Sequence, residues 1–322
     1  MVAYIIRRAI FSIIVLCFAS IVIFGLVRLS GDPLAQLRQN PQISQSDIQR
    51  LTHIYGLDQP AYIQYGLSMK GILTQGSLGT SLLQQESVNA IIGRRVWPTV
   101  LLMGSSLVVT VLIAVPFGVY SAVRKYSLTD KVTTFFSFVG FSLPSFFLGL
   151  MLQLVLGIYL TELAGRRIFF TSGMSSPNAG GFVDLLQHLA LPVVSLAVVS
   201  IASYSRFQRN SMLDVLSEDY IRTARAKGLR LRSVYFKHAL RNALIPVVTL
   251  VALDIAYSFG GAVITETIFA WPGIGFLLYD SLGKGDYNVA RAILLIIAVL
   301  VVFFNLIVEV AYALLDPRVS YE

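Results

Sequence analysis

Residues 96–123 read VWPTVLLMGSSLVVTVLIAVPFGVYSAV, 28 positions from Val96 to Val123 without a charge, closed by Arg124. Roughly 20 apolar residues in a helix cross the hydrocarbon of a bilayer, so this run is long enough on its own. The pattern recurs on both sides of it. Ala9 to Val27 gives 19 uncharged residues between Arg8 and Arg28, Val132 to Thr161 gives 30 before Glu162, and Leu185 to Ser205 gives 21 before Arg206. A fifth interval, Leu244 to Phe269, is interrupted by Asp254 and Glu266. A sixth runs from Ala292 to Leu315, with Glu309 near its end. The expected fold class is an all-α polytopic membrane protein with six transmembrane helices.

Composition points to the same solvent. Of 322 residues, 56% are hydrophobic and 13% charged, and mean hydropathy is +0.73. A soluble protein carries about twice that share of charge, so a secreted enzyme, a cytosolic enzyme and a disordered scaffold are excluded. Cys17 is the one cysteine, and His53, His188 and His238 are scattered, so neither a disulfide framework nor a metal site is expected. Gly283-Lys284-Gly285 lacks the frame and hydroxyl of a phosphate loop, and no hydrolase or zinc-protease motif occurs. No catalytic residue and no cofactor are expected in this chain. Arg7-Arg8 before an apolar run resembles a signal peptide, but no small-x-small cleavage site follows, and a retained first helix is expected.

The formal charge of +8 comes from 25 Lys and Arg against 17 Asp and Glu. In a soluble chain that excess would suggest nucleic acid; in a membrane protein it sets orientation, and no nucleic-acid partner is expected. With both termini inside, 15 of the 25 basic residues fall on the cytoplasmic side, nine of them between Arg206 and Ile245. The expected orientation is therefore N-in and C-in. Residues 1–29 form the first transmembrane helix and 30–95 an extracytoplasmic segment. Residues 96–316 hold five further spans with a cytoplasmic loop at 206–245, and 317–322 form a cytoplasmic tail. In the external segment, Ser46-Asp47 before Ile48 and Leu51 marks a helix start.

The loop between spans four and five carries the specific pattern. In Ser217-Glu218-Asp219-Tyr220-Ile221-Arg222-Thr223-Ala224-Arg225-Ala226-Lys227-Gly228, Ser217 is a capping residue, the acids suit a helix N-terminus, and bases gather toward its end. Gly228 supplies a left-handed stop, and Ser233 is placed to cap a second short helix. An anionic-lipid-binding segment would explain the charge. It would not explain Thr223, Ala224, Ala226 and Gly228, whose small side chains let a partner backbone approach closely.

Asp219 to Gly228, continuing through His238-Ala239-Leu240-Arg241-Asn242-Ala243-Leu244-Ile245-Pro246, resembles the EAA loop of ABC importer permeases, in its oligopeptide, dipeptide and nickel branch. Arg222 and Thr223 stand where the generic motif has Glu and Ala, so the generic acidic contact does not transfer to Arg222. The resemblance extends to Tyr55–Pro60, Gly76-Ser77-Leu78-Gly79-Thr80-Ser81, Trp97-Pro98-Thr99, Gly261–Gly275, Asp286-Tyr287 and Leu315-Asp316-Pro317-Arg318. It implies a type I permease fold in the bacterial cytoplasmic membrane, as the first of two homologous permease subunits. It also implies two ABC ATPase subunits that hydrolyse ATP, an extracytoplasmic solute-binding protein, and a peptide substrate moved by alternating access. Nickel or another small solute is the alternative within the family. Coupling to the ATPases would rest on Arg222, Thr223, Ala224, Arg225, Ala226 and Gly228.

Asp254 and Glu266 are candidates for the translocation path, because a carboxylate in a bilayer must face protein or water; structural hydrogen bonding is the other reading. On a continuous helix they would stand 120° apart. Gly140, Pro144 and Gly149 make span three a candidate moving element, although membrane helices also tolerate such residues. A self-contained secondary transporter would need an internal repeat, and none is found.

Overall fold

The computed structural model describes residues 2–38, 42–177, 180–258 and 262–315. Their named elements are all helices, with one isolated antiparallel bridge between Thr80 and Ser87. Five helices among the described residues are long and apolar enough to cross a membrane: Ile6–Leu29, Val88–Val123, Ser145–Ala164, Phe182–Ser217 and Tyr287–Ile307. The all-α, multi-pass architecture holds, and two of the six expected spans are built differently.

Span three is two helices, Leu128–Ser142 and Ser145–Ala164. Pro144 causes the break: its ring disfavours α geometry at the preceding residue, and Leu143 accordingly sits at φ −86°, ψ 125°. Span five appears as Ile245–Ser258 and Val263–Ile268, with 259–261 outside the described residues. The 120° separation assigned to Asp254 and Glu266 required a single helix and does not apply. Other helices outrun their uncharged intervals, because charge ends a membrane crossing without ending a hydrogen-bond ladder. One begins at Val88, ahead of Arg94 and Arg95, and another continues through Arg206 and Arg209 to Ser217.

The chain divides into two compact units. The first comprises Met1–Thr99, Phe259–Val263 and Pro272–Glu322. Val88, Ile91, Leu277, Val289 and Ile293 lie in its buried core. The segment after the first helix is ordered into Ala35–Arg38, Gln45–Ile54 and Ala61–Gln75. Its second helix starts slightly earlier than expected, with Ser44 as the cap that accepts from the Asp47 N–H. Tyr65 hydrogen-bonds Ser20 at 2.7 Å and stands edge-on to Phe24, which ties this segment to the first helix.

The second unit comprises Val100–Ser258 and Ile264–Trp271. In lipid the hydrophobic effect does not press helices together, so small residues that admit close packing do that work. A Cβ on Gly118 would lie 2.7 Å from the Ser205 carbonyl oxygen. One on Gly140 would lie 3.2 Å from Ala202 Cβ, and one on Gly149 3.3 Å from Phe269. Gly140 and Gly149 thus have a packing reason to be glycine that needs no hinge. Outward side chains such as Phe135, Phe136 and Phe141 remain exposed, as suits a lipid-facing surface.

Candidate functional site

The loop folds into a helix at Asp219–Ala226 followed by a second helical stretch, 231–243, whose middle, Val234–Ala239, is π-helical. Neither expected serine cap forms. Glu218 occupies the first N-cap without a side-chain bond, while Ser217 Oγ donates to the Asp214 carbonyl. Arg230 occupies the second N-cap, which puts Ser233 inside the helix. The glycine stop does form. Gly228 sits at φ 74°, its N–H donates to the Arg225 carbonyl, and the Leu229 N–H reaches back to Ala224. This double closure favours glycine because other residues resist positive φ.

The first helix has two faces. Ile221 and Ala224 are buried in a cluster with Val119, Met212, Val234, Ala239 and Ala243. Arg222, Thr223, Arg225, Ala226 and Gly228 are exposed. Ala224 must therefore be moved out of the expected docking set: its methyl packs inward, against this chain's own helices. Asn242 Nδ2 donates to Tyr220 Oη at 2.7 Å and joins the loop's two helices. The Arg222–Asp219 pair, 3.4 Å apart with both side chains exposed, is the kind that contributes little to stability.

The helix stands on an anchored platform that the sequence reading missed. Asp130 is buried and accepts Arg209 Nε at 2.7 Å, Arg209 Nη2 at 3.0 Å and the Tyr126 N–H at 2.9 Å, together with Ser121 Oγ. The Arg209 guanidinium beside it holds the Asp130 carboxyl well below the usual carboxylate range. Ser121 adjoins Ala122, and Arg209 lies one turn before Met212, so the knot borders the cluster that holds the loop helix. Two opposite charges flanking uncharged runs were the available signal; their pairing across 79 positions was not.

Asp254 and Glu266 have different surroundings. Tyr204 Oη donates to Asp254 Oδ2 at 2.6 Å, with the carboxylate side chain partly buried. Glu266 is wholly buried, so its side chain faces protein and lines no open passage here. That burial fits the structural reading of this residue. Cys17 is on the exposed face of the first helix. Among the described residues, no group of three His, Cys, Asp or Glu could hold a metal ion.

Several of the spaced motifs meet in the first unit. Ser81 Oγ donates to Asp286 Oδ2 across 205 positions, and Asn288 Nδ2 donates to the Thr80 carbonyl at 2.9 Å. Asn89 spans the turn before them by accepting from the Leu78 N–H and donating to the Gly76 carbonyl. Thr99 Oγ1 accepts the Ile274 N–H at 2.8 Å, and Arg95 donates to the Pro272 carbonyl at 3.3 Å. Ile274 is the first residue of Ile274–Gly283, so its N–H has no partner within the helix; Thr99 supplies the acceptor from another helix.

The described residues thus form a multi-pass helical chain with a two-faced loop helix after its fourth expected span. The family model described as "Binding-protein-dependent transport system inner membrane component" matches residues 114–321, and "Binding-prot-dependent transport system membrane comp, N-term" matches residues 1–104. The chain is 44% identical to the oligopeptide transport system permease protein AppB of Bacillus subtilis, with 100% of each chain covered. It is 38% identical to the dipeptide transport system permease protein DppB of Alkalihalophilus pseudofirmus, again over 100% of both. To the glutathione transport system permease protein GsiC of Salmonella choleraesuis it is 35% identical over 100% of both. The chain belongs to the inner-membrane permease family of binding-protein-dependent ABC transport systems. It is a membrane subunit of such a transporter, not an enzyme in itself.

Proposed function

We propose that this permease takes up oligopeptides or dipeptides by alternating access, as the first of two homologous permease subunits. The observation that carries this reading is similarity over the full chain to permeases named for oligopeptide and dipeptide transport. Nickel is not favoured, since the substrates in those names are peptides. Two ABC ATPase subunits hydrolyse the ATP, and an extracytoplasmic binding protein delivers the peptide. The chain runs N-in and C-in, which puts nine basic residues in the loop between spans four and five on the cytoplasmic side.

In this reading the exposed face of Asp219–Ala226 enters a groove on an ATPase. Ala226 and Thr223 admit its backbone, Arg222 and Arg225 pair with carboxylates, and Gly228 leaves the helix end clear. Closure of the ATPases pushes this helix and, through Ile221 and Ala224, the spans behind it. Asp254, oriented by Tyr204, serves the passage as a polar contact for peptide ammonium or amide groups.

Uptake of a labelled peptide by the complete complex in proteoliposomes tests the substrate. Competition by unlabelled peptide and none by nickel is expected; the reverse sinks the peptide assignment. Ala226→Trp tests the docking face: Ala226 is an exposed helical position, so the side chain projects outward without straining the Gly228 stop. Loss of ATPase association or of substrate-stimulated turnover is expected. Unchanged values for both would remove the loop from the coupling path.

A further inference from the structure

A cavity of about 280 Å³ lies at the end of the first helix, walled by its last turn, the turn that follows, the first turn of Tyr287–Leu315 and, from the segment after the first helix, Thr52, Leu57 and Gln64. Three guanidinium groups line it, Arg28, Arg38 and Arg291, against one carboxylate, Asp32. The carboxylate is already engaged: it accepts the Leu34 N–H at 2.9 Å and pairs with Arg38 at 3.0 Å. Arg291 donates to Asn288 Oδ1 at 3.2 Å and lies 5.6 Å from the centroid of the Phe24 ring. Among the described residues, neither Arg28 nor Arg291 has an anionic partner. A guanidinium carries five N–H donors, so most of Arg291's capacity is unused by those contacts.

The cavity wall is held in place. Gly31 has φ 153°, and a Cβ there would stand 2.4 Å from Tyr287 Oη, which donates to the Ser30 carbonyl at 3.1 Å. Its depth follows from the sequence: Arg28 ends the uncharged run that begins at Ala9, which sets the guanidiniums at the level of lipid headgroups. Beside them on the same helix end, Leu26 is 60% and Leu29 84% exposed. A net excess of two positive charges (3−1) next to bare apolar surface is complementary to an amphipathic anion.

We infer that this cavity binds the phosphate of an anionic phospholipid, with Arg28 and Arg291 as its ligands and the acyl chains against the first helix. Guanidinium groups hydrogen-bond phosphate oxygens in a bidentate fork, so a pocket lined by them suits a phosphate headgroup. The same guanidiniums would accept free phosphate, so the test must separate the two sources.

The assembled transporter would be equilibrated with phosphatidylglycerol or phosphatidylcholine in mixed micelles, and retained lipid counted by native mass spectrometry. Selective retention of phosphatidylglycerol is expected, with a drop of about tenfold in its affinity for Arg291→Gln and for Arg28→Gln. Arg28 is exposed, so its variant reads the site even if Arg291→Gln fails to fold. Arg50→Gln, on an exposed position outside the cavity, should retain lipid as the wild type does. Equal retention of both lipids, or unchanged retention in the Arg28 variant, would overturn the inference. Displacement of phosphatidylglycerol by millimolar inorganic phosphate would assign the site to a free anion and overturn the lipid reading; resistance to it supports the lipid.

Discussion

The Ser81–Asp286 junction and the Asp219–Ala226 helix both come from motif segments, and they use their residues in opposite ways. Ser81, Thr99 and Asp286 are 0%, 1% and 3% exposed and bond to partners within their own unit. Arg222, Thr223, Arg225, Ala226 and Gly228 are exposed, while only Ile221 and Ala224 of their helix turn inward. The first set is used up in building the chain. The second set stays at the surface, where the proposed ATPase contact would engage it, and that difference would separate motifs of assembly from motifs of contact.

The comparison breaks most readily at the platform under the loop helix. Asp130→Ala strands the largely buried Arg209 guanidinium, and a destabilisation of about 3–5 kcal/mol is expected in denaturation of the purified complex. The pH dependence has a definite sign. The Asp130 carboxyl titrates lower folded than unfolded, so its contribution is fully present above the ordinary carboxylate value of about 4. It is lost as pH falls below that value toward the lower folded pKa. Stability of the wild type should show this acid-side loss, and Asp130→Asn should flatten it.

At the junction the effects should be smaller. Asp286→Ala leaves the buried Ser81 hydroxyl without its acceptor and should cost about 2 kcal/mol by the same measurement. Thr99→Val removes the acceptor for the buried Ile274 N–H, with a loss of about 1–2 kcal/mol. The smallest change in stability, within about 0.5 kcal/mol, is expected for Arg222→Ala combined with Arg225→Ala. Those two should nevertheless weaken ATPase association in a pull-down from the reconstituted complex. A large stability loss there, or an unaltered pull-down, would erase the distinction between the two regions.

Much of the fold was legible because lipid imposes a coarse rule: long uncharged runs become helices, and their ends carry charge. The rule failed where local backbone chemistry intervened, at Pro144 within span three. It also overran, since the helices from Val88 and to Ser217 continue past their first charges. The site was legible as a segment but not as a surface. Ala224 and Ala226 are alike in sequence, yet one packs against Met212 and Val234 while the other is exposed.

What the sequence alone determined is the solvent, the all-helical class, the family resemblance and the position of the loop, because each depends on composition or on residues adjacent in the chain. Only the tertiary structure decided which face of the loop helix is free. It also paired Asp130 with Arg209 and Ser81 with Asp286, and buried Glu266. Those outcomes depend on which helices meet, and a pairing across 79 or 205 positions leaves no periodic trace in a single sequence.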